Sequence, residues 1–390
     1  MKLEQVKKLY DEYVLNTYTK TDLCLVKGKG AIVEDTDGKE YLDFFPGWAV
    51  SGLGHCNKYV IRNIKNQIKK ILHVSNNYYN ELQCKLSKVI IQNSFNGKVF
   101  YSNSGAEANE GAIKLARKFG SPDRFEIITM EKSFHGRTLA TLTATGQEKI
   151  KEGFTPLPLG FIHVPFNDIN ALKSAIAPKT IAIMLELVQG EGGINIANEE
   201  YVKEIRKICN DRNLILIIDE VQTGIGRTGK MFAFQHYGIE PDVITLAKSL
   251  GGGLPIGAMV VGERFCGVLT PGSHASTFGG SPIVCASSLG VFQAIQKDRL
   301  LENVNKMSAY FKKALDRLKK KKSIIRKIKI LGLMIGIELN IEDADIIYRK
   351  SLSKGLLINC TQKNILRIMP PLYVKKSQID KAIKVLGECL

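Results

Sequence analysis

Leu214-Ile-Leu-Ile-Ile-Asp219 and Val243-Ile-Thr-Leu-Ala-Lys248 decide how this chain folds. Each is a short apolar run with one ionisable residue at or just past its C-terminal end. Such runs read as parallel strands buried on both faces, and ligands of open α/β sheets sit beyond the carboxyl ends of those strands. The pattern therefore predicts an acid and an amine facing one crevice. A lysine there can form a Schiff base with an aldehyde, and a buried carboxylate can hold a proton on a heterocyclic nitrogen. Those are the two protein groups that a pyridoxal cofactor most needs.

The surrounding pattern is α/β. From about His55 to Pro282, strand-like runs alternate with helical stretches, and the expected strands are Val99–Tyr101, Glu126–Thr129, Ile181–Leu187, Leu214–Asp219, Val243–Leu246 and Ala258–Val261. Ahead of them lie an amphipathic start (Val6, Leu9, Tyr10, Tyr13) and a hairpin over 31–43 with Asp37-Gly38 as its turn. Beyond Gly290 come helices (Val291–Ile295, Leu301–Leu318), short strands (Met334–Leu339, Leu356–Asn359, Ile365–Ile368) and a closing helix from Ser377. The expected organisation is an N-terminal segment 1–54, a large domain 55–285 and a C-terminal part 286–390. The large domain has a mainly parallel central sheet flanked by helices; both chain ends build a smaller α+β domain.

Two glycine-containing segments bear on ligand binding. Ser102-Asn-Ser-Gly-Ala-Glu-Ala-Asn109 follows a strand and opens a helical pattern at Ala112, Ile113, Ala116 and Phe119, so its free N–H groups and positive dipole end suit an anion. Ser104 and Glu107 equally fit a capping box, and spacing alone leaves both readings open. Gly224-Ile-Gly-Arg-Thr-Gly229 has the G-x-G-x-x-G form of an NAD-dependent dehydrogenase. Its context argues against that reading: four residues separate Asp219 from the first glycine, and the stretch up to Gly238 is too short for a crossover helix. Met231 also stands where a P-loop requires Ser or Thr.

Asp219-Glu-Val-Gln222, Ser249-Leu-Gly-Gly-Gly253 directly after Lys248, and Thr277-Phe-Gly-Gly280 resemble the class III, or ω-, aminotransferases of the fold type I pyridoxal-phosphate enzymes, from about Gly30 to Val374. The resemblance implies Lys248 as the cofactor's lysine and Asp219 as the partner of its ring nitrogen. It implies a phosphate site at Ser104, Gly105 and Ala106, and further cofactor contacts at Glu220, Val221 and Gln222. Gln222 matches the residue bonded to the phenolic oxygen. In Ser133-Phe-His-Gly-Arg-Thr138, Phe134 is implied to stack on the pyridine ring, and Arg137, with Ser276 nearby, to hold a substrate carboxylate. Taken alone, Phe134 reads rather as core and Arg137 as a surface or structural salt bridge. Arg367 matches the arginine that receives the α-carboxylate of 2-oxoglutarate, and Glu191 the glutamate that pairs with it while an ω-amino donor is bound. Thr277 matches a threonine that reaches the partner subunit's cofactor, which implies a homodimer.

Among the ω-aminotransferases, the words Ala49-Val-Ser-Gly-Leu-Gly-His55 and Leu366-Arg-Ile-Met-Pro-Pro371 are most similar to those of acetylornithine aminotransferases. The implied reaction moves the δ-amino group of N2-acetyl-L-ornithine to 2-oxoglutarate in arginine biosynthesis. Ornithine, succinylornithine, succinyldiaminopimelate and 4-aminobutyrate are the alternative donors. Leu187 departs from the family's usual proline, and Trp48 stands where acetylornithine enzymes often carry a smaller residue. Trp48 either narrows the donor pocket or packs between subunits.

Composition excludes other classes. With 44% hydrophobic and 24% charged residues among 390, the chain is expected to be a globular protein without disordered or membrane-spanning segments. The absence of an apolar run in the first residues leads to a cytoplasmic expectation. Eight scattered cysteines without a Cys-x-x-Cys pair argue against both a zinc site and a disulfide framework. The net charge of +17 is spread along the chain, and its densest run, Lys319–Lys322, continues a helical pattern at Tyr310, Ala314, Leu315 and Leu318. That distribution fits solvated faces rather than a nucleic-acid groove.

Overall fold

The computed structural model describes residues 1–390. Its centre is a seven-stranded sheet made of β1 (Gly97–Ser102), β2 (Glu126–Met130), β3 (Phe161–Val164), β4 (Thr180–Leu185), β5 (Ile215–Asp219), β6 (Val243–Leu246) and β7 (Gly257–Gly262). The order across the sheet is β3-β2-β4-β5-β6-β7-β1. All neighbours are parallel except β7, which runs antiparallel to both β6 and β1.

Alternation within the apolar runs explains why the sheet is covered on both faces. Ile215 and Ile217 join the cluster built on Ala112, Ile113, Leu115 and Ala116 of the Gly105–Gly120 helix. Leu216 and Ile218 point the other way, into the larger cluster containing Val202 and Ile205 of the Glu199–Asp211 helix. Every residue of β4, β5 and β6 is buried. Each such aliphatic side chain contributes about 1.5–3 kcal/mol on burial, so these strands are the least free to move.

β1 and β7 extend the predicted Val99–Tyr101 and Ala258–Val261 strands by a residue or two at each end. The predicted Ile181–Leu187 strand ends earlier, at Leu185, and the chain turns at Glu186 before Val188–Gln189. β3 escaped prediction, as did Ile325–Leu331. The Gly224–Gly229 segment consists of turns, followed only by a short 3-10 turn at Ala233–His236, so no crossover helix follows it.

The two chain ends are paired. Leu25–Lys29, Ile32–Asp35 and Glu40–Asp43 form an antiparallel meander, and Leu356–Leu357 adds to its edge in parallel, with Leu356 opposite Leu42. A second sheet of Ile325–Leu331, Met334–Leu339, Ile365–Ile368 and Asn359–Thr361 packs with the helices Leu300–Lys321 and Lys376–Cys389. The boundary expected at 285/286 falls inside the Pro282–Lys297 helix, which lies against the Lys58–Ile68 helix. No helix is long and apolar enough to cross a membrane.

Candidate active site

Parallel topology brings the carboxyl ends of β1, β2, β4, β5 and β6 to one edge, where each hands a loop to the same cavity. Because β7 is antiparallel, its opposite end arrives there too, with Leu254, Pro255 and Ile256. The cavity encloses about 490 Å³. Its wall carries Ser104, Gly105, Ala106, Phe134, Arg137, Glu191, Asp219, Val221, Gln222 and Lys248. Glu220, Ser276, Thr277 and Arg367 do not line it.

Asp219 ends β5 and is 3% exposed. Its Oδ2 accepts from His135 Nδ1 at 2.8 Å and from Asn109 Nδ2 at 2.8 Å, and its Oδ1 accepts from the Val221 N–H at 3.0 Å. These three donors fix the carboxylate's orientation. Neither Asn109 nor His135 was singled out from sequence. The available signal was position: Asn109 closes the segment that opens the helix, one turn from Gly105, and His135 sits between Phe134 and Arg137. The other ring nitrogen of His135 is buried without a partner.

Lys248 follows β6 with φ at 45°, a left-handed conformation that is disfavoured for a lysine by about 1–2 kcal/mol. Burial holds its amine below the usual lysine range, against the pull of Glu191, Asp219 and Glu186 in the opposite direction. An amine that deprotonates readily is a better nucleophile toward an aldehyde.

The anion end is built by the Gly105–Gly120 helix. Ser104 caps it, its Oγ accepting from the Glu107 N–H at 3.1 Å. The N–H groups of Gly105 and Ala106 have no acceptor within the chain. Ser104 therefore serves as the cap, but Glu107 turns its carboxylate to the Asn103 N–H at 2.9 Å, so the box closes on one side only and the adjoining N–H pair is left without an acceptor. Gly105 is packed so closely that a Cβ would lie 2.8 Å from Val221 Cγ1.

Glu186, just past β4, was also missed. It lines the cavity, accepts from the Phe134 N–H at 2.9 Å, and burial pushes its carboxyl up from the ordinary range. Gln222 offers a buried Oε1 with no partner. The free N–H pair and the Asp219–Lys248 juxtaposition fit a phosphorylated pyridine aldehyde in shape and donor chemistry, and the Gln222 carboxamide carries in its Nε2 the N–H that an oxygen acceptor needs.

Arg137 makes no hydrogen bond or ion pair to protein; its guanidinium lies 5.6 Å from the Phe134 ring centroid. Arg367 is fully buried and pairs through Nη1 with Glu191 Oε1 at 2.7 Å, so it reaches the cavity only by way of that glutamate. The Glu220 side chain turns away from the cavity, accepting the Phe234 N–H at 2.9 Å and the Thr223 hydroxyl. Ser276 Oγ accepts from Asn103 Nδ2 at 3.3 Å, one residue removed from the wall, and Thr277 is exposed.

Comparison with known proteins agrees with this geometry. The model of the family described as aminotransferase class-III matches residues 13–390. The acetylornithine aminotransferase of Caldanaerobacter subterraneus subsp. tengcongensis is 52% identical, with 97% of each chain covered. That of Methanocaldococcus jannaschii is 50% identical over 97% of this chain and 96% of its own. Among solved structures, ornithine aminotransferase from Toxoplasma gondii superposes with a TM-score of 0.96 at 30% identity, covering 100% of this chain and 95% of that one. Acetylornithine aminotransferase from Elizabethkingia anophelis gives 0.89 at 30% identity, with 100% and 99% covered. The sheet order, the lysine and aspartate at adjacent strand ends, and near full-length matches of this kind converge on one assignment: the chain belongs to the class-III aminotransferases, enzymes of the fold type I pyridoxal-phosphate group.

Proposed function

We propose that this enzyme transfers the δ-amino group of N2-acetyl-L-ornithine to 2-oxoglutarate, giving N-acetylglutamate 5-semialdehyde and glutamate. The observation that carries this reading is the unequal state of two arginines: Arg137 has no carboxylate or hydrogen-bond partner in the protein, whereas Arg367 is masked by Glu191. A donor with one carboxylate far from its reacting amine needs only Arg137. An α-keto dicarboxylate needs both cations, and Glu191 must give way. The names of the relatives, at 52% and 50% identity, support an acetylated donor.

When bound, pyridoxal 5'-phosphate supplies an electron sink for the bond broken at the amine-bearing carbon. Gly105 and Ala106 would hold its phosphate, Phe134 and Val221 would pack against its ring, and Gln222 would bond its ring oxygen. Asp219, oriented by His135 and Asn109, would hold the proton on the ring nitrogen. Lys248 would hold the cofactor through its aldehyde and, as a free amine, would take up and return the proton at the substrate's amine-bearing carbon.

We read the active unit as a homodimer with Thr277 contributed to the partner's cofactor, supported by the exposure of Thr277, Phe278 and Tyr79. Residues 1–54 and 286–390 are taken as the smaller domain around the large domain 55–285, and the location as cytoplasmic.

The test is the visible absorption of the purified protein, followed after separate additions of N-acetylornithine, ornithine and 4-aminobutyrate without a keto acid. Fastest bleaching at the lowest concentration by N-acetylornithine is the expected result. Preferential bleaching by another amine transfers the assignment to that donor.

A further inference from the structure

One hairpin, Asn359–Thr361 with Ile365–Ile368, supplies more of the carboxylate receptor than its arginine. Asn359 lies directly opposite Arg367 in the antiparallel register, so the two side chains share a face. Asn359 Oδ1 accepts from Arg367 Nε at 3.1 Å and from Nη2 at 2.9 Å. The Phe45 ring lies 4.7 Å from the guanidinium, and Glu191 occupies Nη1. The turn of the same hairpin holds the glutamate's main chain: Thr361 Oγ1 and Gln362 Nε2 both donate to the Glu191 carbonyl, at 2.8 and 3.0 Å.

We infer that Asn359 is the fixed half of the Arg367 carboxylate receptor, a positioning residue that keeps the Nε/Nη2 edge occupied while only the Nη1 side exchanges Glu191 for a substrate carboxylate. The inference rests on the aminotransferase function proposed above. Its physical basis is charge and burial. A fully buried guanidinium with an unfilled edge carries a large desolvation penalty. A carboxylate on that edge would cancel the positive charge permanently. A carboxamide satisfies both N–H groups and leaves the charge intact for the moment Glu191 withdraws. Because the side-on edge is taken, the incoming carboxylate meets the guanidinium from its Nη1 end.

The test compares wild type with Asn359→Leu, which removes the acceptor, and Asn359→Asp, which keeps the oxygen and the shape but adds a negative charge. Equilibrium binding of glutarate, a dicarboxylate without a keto group, is measured by calorimetry on the pyridoxal-phosphate-loaded protein. The two half-reactions are followed separately by stopped flow. Both variants are expected to weaken glutarate and to raise KM for 2-oxoglutarate by at least about tenfold, while donor consumption changes by less than about threefold. Asn359→Asp keeps the comparison informative should Asn359→Leu fold poorly. Glutarate affinity within about twofold of wild type in Asn359→Asp, or a parallel fall of both half-reactions, overturns the inference. A preferred donor other than N-acetylornithine changes the proposed function and leaves the glutarate comparison intact, since any α-keto dicarboxylate acceptor calls on Arg367.

Discussion

Replacing Gly190 with alanine probes the cavity through a contact the wild type lacks. Gly190 has no left-handed backbone to strain, yet a Cβ built on it lies 1.7 Å from Gln222 Oε1 and 2.8 Å from Gln222 Cδ. Ordinary non-bonded separation is about 3.5 Å, so the carboxamide must move by roughly 2 Å. Gln222 can do so by rotating its own torsions, which keeps the stability loss within the 1–3 kcal/mol usual for overpacking, about 1 kcal/mol. The larger effect falls on the hydrogen bond proposed between Gln222 and the cofactor's ring oxygen. A bond to a charged group contributes about 1.5–3 kcal/mol, which corresponds to roughly ten- to hundredfold weaker cofactor binding. Titrating pyridoxal phosphate into cofactor-free protein, with the visible band as signal, measures it. Gly190→Ala and Gln222→Ala should shift the band alike, and the double variant should bind no more weakly than Gln222→Ala alone. Additive losses, or an unshifted band in Gly190→Ala, refute the reasoning.

Asp219→Ala leaves the buried donors of His135 and Asn109 without an acceptor, so it is expected to lose about 1–3 kcal/mol of stability and at least roughly a thousandfold in single-turnover transamination. Denaturant melts and stopped flow report the two separately, and near-normal turnover rejects its role. Glu191→Ala removes the partner of Arg367 and should raise the rate with glutamate relative to N-acetylornithine as donor; an unchanged ratio, measured by competition, rejects the exchange of partners. Burial pushes the Glu220 carboxyl up to about 7 from 4.5. The folded state thus binds this proton more tightly than the unfolded state, unfolding releases it, and stability falls as pH rises from about 4.5 to about 7, by at most about 3 kcal/mol. Glu220→Gln should flatten that part of the urea midpoint against pH; Glu186 contributes a slope of the same sign, so a residue of it persists.

The central strands were legible because β4, β5 and β6 are apolar on both faces, and a buried run announces itself without its neighbours. β3 was not: Phe161–Val164 lies at the sheet edge, is short and is only partly buried. Ile325–Leu331 interleaves isoleucine with Arg326, Lys327 and Lys329, whose exposed or half-buried faces hide the period beside the lysine run. In the site, residues with distinctive chemistry at strand ends were readable. Those that orient them were not, because Asn109, His135 and Glu186 meet their partners across 110, 84 and 52 residues of chain. Asn359 escaped for a different reason. Its register opposite Arg367 depends on a turn with Gln362 and Lys363 at positive φ, and neither residue type signals a tight turn.

The main chain around Glu191 is held from both sides, its own carbonyl by Thr361 and Gln362 and that of Gly193 by Lys329 Nζ at 3.1 Å. The exchange of partners proposed at Arg367 would therefore be a rotamer event in a side chain that is 27% exposed, with no loop to carry. Rotamer changes of exposed side chains take picoseconds to nanoseconds, and opening an ion pair at a cost of several kcal/mol slows them roughly a thousandfold, to about microseconds, whereas catalytic cycles of ordinary enzymes last roughly milliseconds to a second. On that proposal the receptor re-equilibrates many times within each turnover. It keeps no memory of the previous substrate, and selection between one-carboxylate donors and two-carboxylate acceptors is made afresh, at equilibrium, on every encounter.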